Sequence, residues 1–268
     1  MKRVARTVPT TEPIHVDFLP SDALRMGGRL GLTIAPGKRE GYWQRNLHDD
    51  LQRLQTLGVA ILVSLVGGPE LEELGISDLP LAARARGVRV CRFAIQDGDV
   101  PETVADTAFF VKWVLEHVRA GDTVAVHCRG GLGRSGLFAA CCLVAVGHAP
   151  RAALGIVRWT RPRAVETREQ ESFVERFGDE FLSAGSHSQG TQEASLELFA
   201  QLITDRLAKA RGISTNRIVV KLSPTPIATG GFSLGVNIRI DEVPLDAAGK
   251  RMVERWFTTM GLPPIGQA

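Results

Sequence analysis

Between Thr123 and Val146 the chain passes from an apolar stretch, Thr123-Val124-Ala125-Val126, through His127-Cys128-Arg129-Gly130-Gly131-Leu132-Gly133-Arg134-Ser135-Gly136, into a second apolar stretch, Leu137 to Val146. That order reads as strand, tight loop, helix, and it restricts the fold to those in which a buried strand hands over directly to a helix. Gly130, Gly131 and Gly133 let the loop bend, because Gly takes positive φ at little steric cost. Such a loop turns backbone N–H groups toward a common centre. The helix behind it adds its own unpaired N–H groups and the positive end of its dipole. The expected product is a cradle for a tetrahedral dianion. Arg134, six positions after Cys128, offers a rigid two-pronged clamp for two of the anion's oxygens. Cys128 stands at the mouth of the cradle, where the same field favours a thiolate. A thiolate beneath a bound phosphate is a nucleophile aimed at phosphorus. A buried structural cysteine beside an ordinary Gly turn is the competing reading, and it suits a lone Cys. It does not explain why strand, glycines, Arg134 and Ser135 all agree.

The rest of the amino-terminal two thirds alternates strand and helix. Strands are expected over 30–35, 59–66, 88–95 and 123–127. Helices are expected over 46–57, 79–86, 101–119, 134–146, 151–159 and 169–182, with a short one near 70–74. Pro101 is placed in the first turn of its helix. Alternation of this kind implies an α/β fold with a mostly parallel central sheet flanked by helices. Ligands in such sheets bind beyond the carboxyl ends of the strands, where the 128–133 loop falls. Residues 1–20, with Pro9, Pro13 and Pro20, read as a flexible arm; 21–183 is the main domain; 184–191, rich in Ser, Gly, His and Gln, is a linker. Residues 192–268 form a small α+β module. It has an amphipathic helix over 193–210 (Leu196, Phe199, Ile203, Leu207), strands over 216–222 and 232–240, and a helix over 245–260 with Val253, Trp256, Phe257 and Met260 on its apolar stripe.

A net charge of +3 over 268 residues argues against a dedicated nucleic-acid binder. The four cysteines, Cys91, Cys128, Cys141 and Cys142, have no metal-ligand spacing and no disulfide pattern, so no metal or other cofactor is expected. No apolar run follows the basic start of the chain, so neither a signal peptide nor membrane insertion is expected. A reducing cytoplasm suits a catalytic thiol.

A cysteine that takes a phosphoryl group needs partners. The leaving oxygen must be protonated, and the segment Ile95 to Pro101, at the end of the preceding strand, holds Asp97 and Asp99. Asp99 fits a helix cap; Asp97 is the expected general acid. Ser135 can donate to the Cys128 sulfur as the thiolate departs, or satisfy the backbone of its helix. Gln170 can orient the attacking water, or be an exposed helix residue. His127 is expected to hydrogen-bond within the core and help set the loop. Arg158, Arg161, Arg163 and Arg168, with Arg129 in the loop, are either a solvated face or a funnel for acidic substrates.

The loop resembles the signature of the cysteine-dependent dual-specificity protein phosphatases, in the protein tyrosine phosphatase superfamily, and is most similar to the cyclin-dependent-kinase-associated phosphatase group. His127-Cys128 followed by Gly131-Leu132-Gly133-Arg134-Ser135 carries the resemblance. Ile95 to Pro101 is similar to the general-acid loop, with Asp97 four residues before the proline and 31 before Cys128. Arg161 to Gln170 resembles the family's late Arg/Pro-to-Gln segment, and Pro36-Gly37 with Arg45-Asn46 fits the group's amino-terminal part. The resemblance spans about residues 20 to 182. It implies hydrolysis of phosphorylated protein side chains through a phosphocysteine. Cys128, Arg134, Asp97 and Ser135 would be catalytic. Arg129, Gly130, Gly131, Leu132, Gly133 and Arg134 would bind phosphate, and Gln170 would position water. Two departures stand out. Arg129 replaces an aromatic residue and is expected to make the pocket more cationic. Only Cys91 is available upstream as a disulfide partner for Cys128. In the tail, Arg206 to Val220 is similar to a helix-to-strand segment of the tautomerase superfamily, without that family's amino-terminal proline. It implies an oligomer-forming scaffold. The other readings are a phosphate-binding module without turnover, a phosphatase acting on a non-protein phosphate such as a phosphoinositide, and a rhodanese-like or arsenate-reducing cysteine loop. The last needs neither the acid loop nor Ser135.

Overall fold

The computed structural model describes residues 12–41 and 43–185 and, further on, 200, 203–204, 207–208, 210–226 and 232–259. The chain divides into two compact units, Met1–Ala184 and Gly185–Ala268. In chain order the first unit contains β1 (Asp17–Phe18), α1 (Ser21–Leu24), β2 (Arg29–Thr33), β3 (Arg39–Glu40), β4 (Trp43–Gln44), α2 (Leu47–Thr56), β5 (Val59–Ser64), α3 (Gly68–Glu73) and α4 (Leu79–Arg84). It continues with β6 (Arg89–Arg92), α5 (Val104–Arg119), β7 (Thr123–His127), α6 (Gly133–Ala145), α7 (Pro150–Thr160) and α8 (Arg168–Gly185).

Five strands form the central sheet in the order β1-β2-β7-β5-β6. β2, β7, β5 and β6 run parallel, and β1 is antiparallel at the edge. β7 therefore has neighbours on both sides, which is why Val124, Ala125 and Val126 are fully buried and why its sequence is apolar without alternation. α6 is buried from Gly133 through Val144, on every face. Its all-round apolar sequence is what a helix sunk into the core requires. α2 is the contrasting case. Leu47, Leu51 and Leu54 face the core, while Gln52, Arg53 and Gln55 face solvent. Asn46 caps it, accepting the His48 N–H at 2.8 Å. The buried Asp50 carboxylate on the same helix pairs with Arg45 (2.6 Å) and accepts the Gly37 N–H (2.8 Å). That pairing ties the chain after β2 to α2.

Two sequence expectations are corrected. The described half of the supposed flexible arm is packed: Ile14, Val16 and Leu19 are buried, β1 pairs with β2, and Thr33 Oγ1 donates to the His15 carbonyl. Pro101 does not begin a helix. α5 starts at Val104, capped by Thr103 Oγ1 on the Asp106 N–H (3.0 Å). The hydroxyl cap wins because it can satisfy an otherwise orphaned donor.

In the second unit, β8 (Ile218–Pro226), β9 (Phe232–Ile240) and β10 (Val243–Pro244) form an antiparallel sheet in the order β10-β9-β8. α9 (Ala247–Thr259) follows. Ile203, Leu207, Ile218, Ile238, Leu245 and Val253 are among its described buried residues. Leu196, Phe199, Met260, the side chains of Trp256 and Phe257, and most of the expected 184–191 linker lie outside the described residues. No helix among the described residues is long and apolar enough to cross a membrane.

Candidate active site

β7 ends at His127, level with Thr33 of β2 and Ser64 of β5. The chain beyond each parallel strand delivers at least one group to this end of the sheet. β2 leads to Glu40, β5 to Glu70, β6 to Asp97, and β7 to Cys128 and Arg134.

Cys128 is buried, 3% exposed, and its Sγ accepts the Gly131 N–H at 3.2 Å. Of the three loop glycines only Gly131 has positive φ, +72°. The expectation that all three supply that conformation is therefore corrected. A Cβ at 131 would also stand 2.3 Å from the Thr33 carbonyl oxygen. Gly133 is needed for room instead: a Cβ there would meet Glu166 Oε2 at 2.7 Å and both Gln170 amide atoms at 3.0 Å. Gly136 lets α6 press on the Val165 N, 2.8 Å from where its Cβ would be.

Arg134 is 1% exposed. Nη1 and Nη2 chelate the Glu70 carboxylate, each at 2.7 Å. Nη1 also donates to the Ile95 carbonyl (2.8 Å), and Nη2 to Asp97 Oδ1 (2.7 Å). Nε is buried and has no partner among the described residues; the same is true of Ser135 Oγ. Burial acts to lower the arginine's pKa, but the Glu70 hydrogen bonds and the fields of Cys128, Glu70 and Asp97 outweigh it and hold the pKa above its ordinary value. Asp97 is about half exposed. Asp99 lies two residues on, and its Oδ1 accepts the Val100 N–H (2.8 Å) rather than capping α5.

Arg129 does not make the pocket more cationic. Its guanidinium is bonded to Glu40, with Nε 3.1 Å from both carboxylate oxygens and Nη2 also donating to Oε1. Glu73, Glu70 and Asp97 lie 3.5, 3.6 and 3.8 Å from its Nη1. Lys38 joins Glu40 from the other side at 2.9 Å. Hydrogen bonds from Arg129 and Lys38 lower the Glu40 pKa to about 2. The arginine-rich stretch is likewise not one funnel. Arg158 donates to the Ala164 and Val165 carbonyls (both 3.1 Å), and Arg161 donates to the Gly130 carbonyl (3.1 Å) and pairs with Asp17. Arg163 and Arg168 are exposed.

Gln170 is buried rather than exposed. Its Oε1 accepts the Glu166 N–H (2.9 Å) and its Nε2 reaches the Asp99 carbonyl (3.4 Å), beside the first turn of α6. His127 Nδ1 lies 3.2 Å from the Cys128 carbonyl, Nε2 has no partner among the described residues, and burial lowers its pKa to about 4. Cys91 pairs with Val63 on β5, which pairs with Val126 on β7. Two strand spacings, about 10 Å, separate Cys91 from β7, more than a disulfide spans. It does not serve as a disulfide partner in this arrangement, and burial raises its thiol pKa to about 11. Among the described residues no three His, Cys, Asp or Glu side chains are grouped as metal ligands.

Glu70, Glu40 and Lys38 were not singled out from sequence. For Glu70 a signal existed: it follows β5 by the turn Gly67-Gly68-Pro69, so it had to emerge at the same sheet edge as the loop.

Comparison with known proteins agrees with this geometry. The family described as Swiss Army Knife protein, DSP-PTPase phosphatase domain, matches residues 32–174, more than half of the chain. Cyclin-dependent kinase inhibitor 3 of Homo sapiens is 27% identical over 187 residues, 69% of this chain and 87% of that protein. A putative tyrosine phosphatase, 067L, of Invertebrate iridescent virus 3 is 30% identical over 150 residues, 50% of this chain and 60% of that one. Among solved structures, kinase associated phosphatase with its catalytic site cysteine substituted by serine matches with a TM-score of 0.61 and 25% identity, covering 65% of this chain and 99% of that one. PTPMT1, at 20% identity and a TM-score of 0.51 over 64% and 99% of the two chains, shares the fold. With a cysteine in the loop and an arginine in the first turn of the helix that follows, both at the end of a parallel sheet, the chain belongs to the dual-specificity phosphatase domain family of the protein tyrosine phosphatase superfamily, and is a cysteine-based protein phosphatase.

Proposed function

We propose that this chain hydrolyses phosphotyrosine and phosphoserine or phosphothreonine side chains through a phosphocysteine on Cys128. The observation that carries the reading is one constellation. Cys128 Sγ is hydrogen-bonded by a loop N–H, beside a buried arginine fixed by Glu70 and the Ile95 carbonyl whose Nε has no partner among the described residues. A buried guanidinium donor without an acceptor fits an anion site. The solved relative with a serine in place of its catalytic site cysteine supports giving the nucleophile's role to a cysteine.

The substrate phosphate sits over the loop N–H groups. One oxygen takes Arg134 Nε and another takes Nη2, displacing Asp97 from that nitrogen. The Cys128 thiolate attacks phosphorus while the bond to the substrate oxygen breaks. Protonated Asp97 gives its proton to that oxygen. A water held by Gln170 then attacks phosphorus and passes a proton to the Asp97 carboxylate. The S–P bond breaks, and the departing thiolate accepts a hydrogen bond from Ser135 Oγ. Arg134 follows the equatorial oxygens through both transition states. Arg129 contributes its backbone to the loop, while its side chain stays with Glu40.

The charges at the rim favour protein substrates over polyanionic lipids. With Asp97 protonated for catalysis, Glu40, Glu70 and Glu73 match Lys38, Arg129 and Arg134 one for one, so the rim offers a headgroup with several phosphates no surplus of positive charge. A reducing compartment, the cytoplasm, suits the free thiol. Turnover by the full chain on a panel of phosphopeptides and phosphoinositides tests the reading. Peptides are expected to turn over faster. Preference for a phosphoinositide would replace the protein substrate, and tight binding without turnover would make the chain a phosphate-binding module.

A further inference from the structure

Arg161 lies outside the set that touches substrate, yet it bears on one peptide unit of the loop. The carbonyl of Gly130 and the N–H of Gly131 belong to the same peptide group. A trans peptide is planar, so its C=O and N–H point in opposite directions. Here both ends are engaged. The Gly130 oxygen accepts from Arg161 Nη2 at 3.1 Å, and the Gly131 nitrogen donates to Cys128 Sγ at 3.2 Å. Fixing one end fixes the other.

This unit is the one in the loop most prone to turn over. It joins two glycines, and no Cβ on either side opposes rotation of the peptide plane. No heavy atom lies within 4 Å of where a Cβ on Gly130 would stand, so nothing crowds that side of the residue. If the unit rotated by half a turn, it would aim a carbonyl oxygen at the thiolate and the phosphate in place of an N–H. Arg161 is itself fixed. Its Nη1 pairs with Asp17 of β1, whose other oxygen is 2.8 Å from His15 Nε2, and its side chain is mostly buried.

We infer that Arg161, anchored by Asp17, is a positioning residue. It locks the Gly130–Gly131 peptide with its N–H toward Cys128, so that the loop stays an anion cradle. The inference rests on the phosphatase reading for its effect on rate but not for its effect on anion binding.

The test measures the dissociation constant of inorganic tungstate, a tetrahedral dianion that binds without turnover, together with kcat and KM on an aryl phosphate. Full-length wild type, Arg161→Gln, Arg161→Lys and Asp17→Asn are compared. For Arg161→Gln, KM and the tungstate constant should both rise roughly tenfold, and kcat should fall by about as much, less than the 10²–10³ that deleting an oxyanion donor costs. Asp17→Asn keeps the arginine but loosens it, and should move both binding constants a few-fold the same way. Arg161→Lys should recover part of the loss, since an ammonium reaches one acceptor but not both in a fixed fork. A residue that only stabilised the fold would lower the active fraction and leave KM and the tungstate constant of the folded molecules unchanged. That outcome in Arg161→Gln would overturn the proposal. If Arg161→Gln does not fold, Asp17→Asn decides, and unchanged constants there would overturn it. A wild type that binds tungstate but lacks turnover would refute the phosphatase reading while leaving the lock to be judged on tungstate alone.

Discussion

At the residue scale the roles rest on how each side chain is held. Cys128→Ser should lose turnover by about the 10⁶-fold seen when a covalent hydrolase loses its nucleophile, and should still bind tungstate, because the loop N–H groups and Arg134 remain. Asp97→Asn should cost about a hundredfold on a phosphoserine peptide and only a few-fold on an aryl phosphate with a good leaving group, since only a poor leaving group needs the proton. Asp99→Asn should change neither; its carboxylate serves the Val100 N–H. Steady-state kinetics on the two substrates separates the carboxylates, and the opposite ranking would move the acid to Asp99. His127 gives a pH test. Its folded pKa is about 4, below the ordinary 6.5, because burial disfavours the charged ring. The unfolded chain therefore binds the proton first. Stability should fall as pH drops from about 6.5 to about 4, by up to about 3 kcal/mol, and level off below that. Chemical denaturation across that range should show the slope in wild type and a shallower one in His127→Gln.

At the scale of elements, the strand–loop–helix unit was legible because its signals are local. An apolar run, glycines and a second apolar run specify β7, the loop and α6 without reference to anything distant. Asp97 was legible for the same reason, since it follows a strand. The partners were not. Arg129 looked cationic in sequence, but its charge is met by Glu40, 89 positions away, and only the sheet order brings the chain after β2 beside the loop after β7. Glu70 was hidden in the same way, although Arg134 depends on it. The cap of α5 was misplaced because Pro101 and Thr103 both signal a helix start, and the side-chain hydrogen bond decided between them. Packing between elements can be tested at Gly136. A Cβ there would come 2.8 Å from the Val165 N and 3.0 Å from Ala164 Cβ, forcing the 161–167 segment away from α6. Gly136→Ala should lower stability by about 1–3 kcal/mol. A thermal or denaturant midpoint equal to wild type would mean that the segment yields freely.

At the scale of the whole molecule, every residue given a role lies within Met1–Ala184, and α8 runs on to Gly185. A fragment ending at Gly185 is therefore expected to keep most of the aryl-phosphate rate. We propose that Gly185–Ala268 serves assembly, because so small a unit is marginally stable alone. Light scattering should then find an oligomer for the full chain and a monomer for the fragment; monomers in both would remove the assembly role. The central claim, that phosphate passes through Cys128, is tested most directly by acid-quenching the full chain during turnover of a phosphorylated substrate and locating the retained phosphoryl group by peptide mass spectrometry. The account predicts one phosphoryl group, on Cys128. A phosphoryl group on another side chain, or turnover with none on Cys128 under conditions that preserve a thiophosphate, would contradict it.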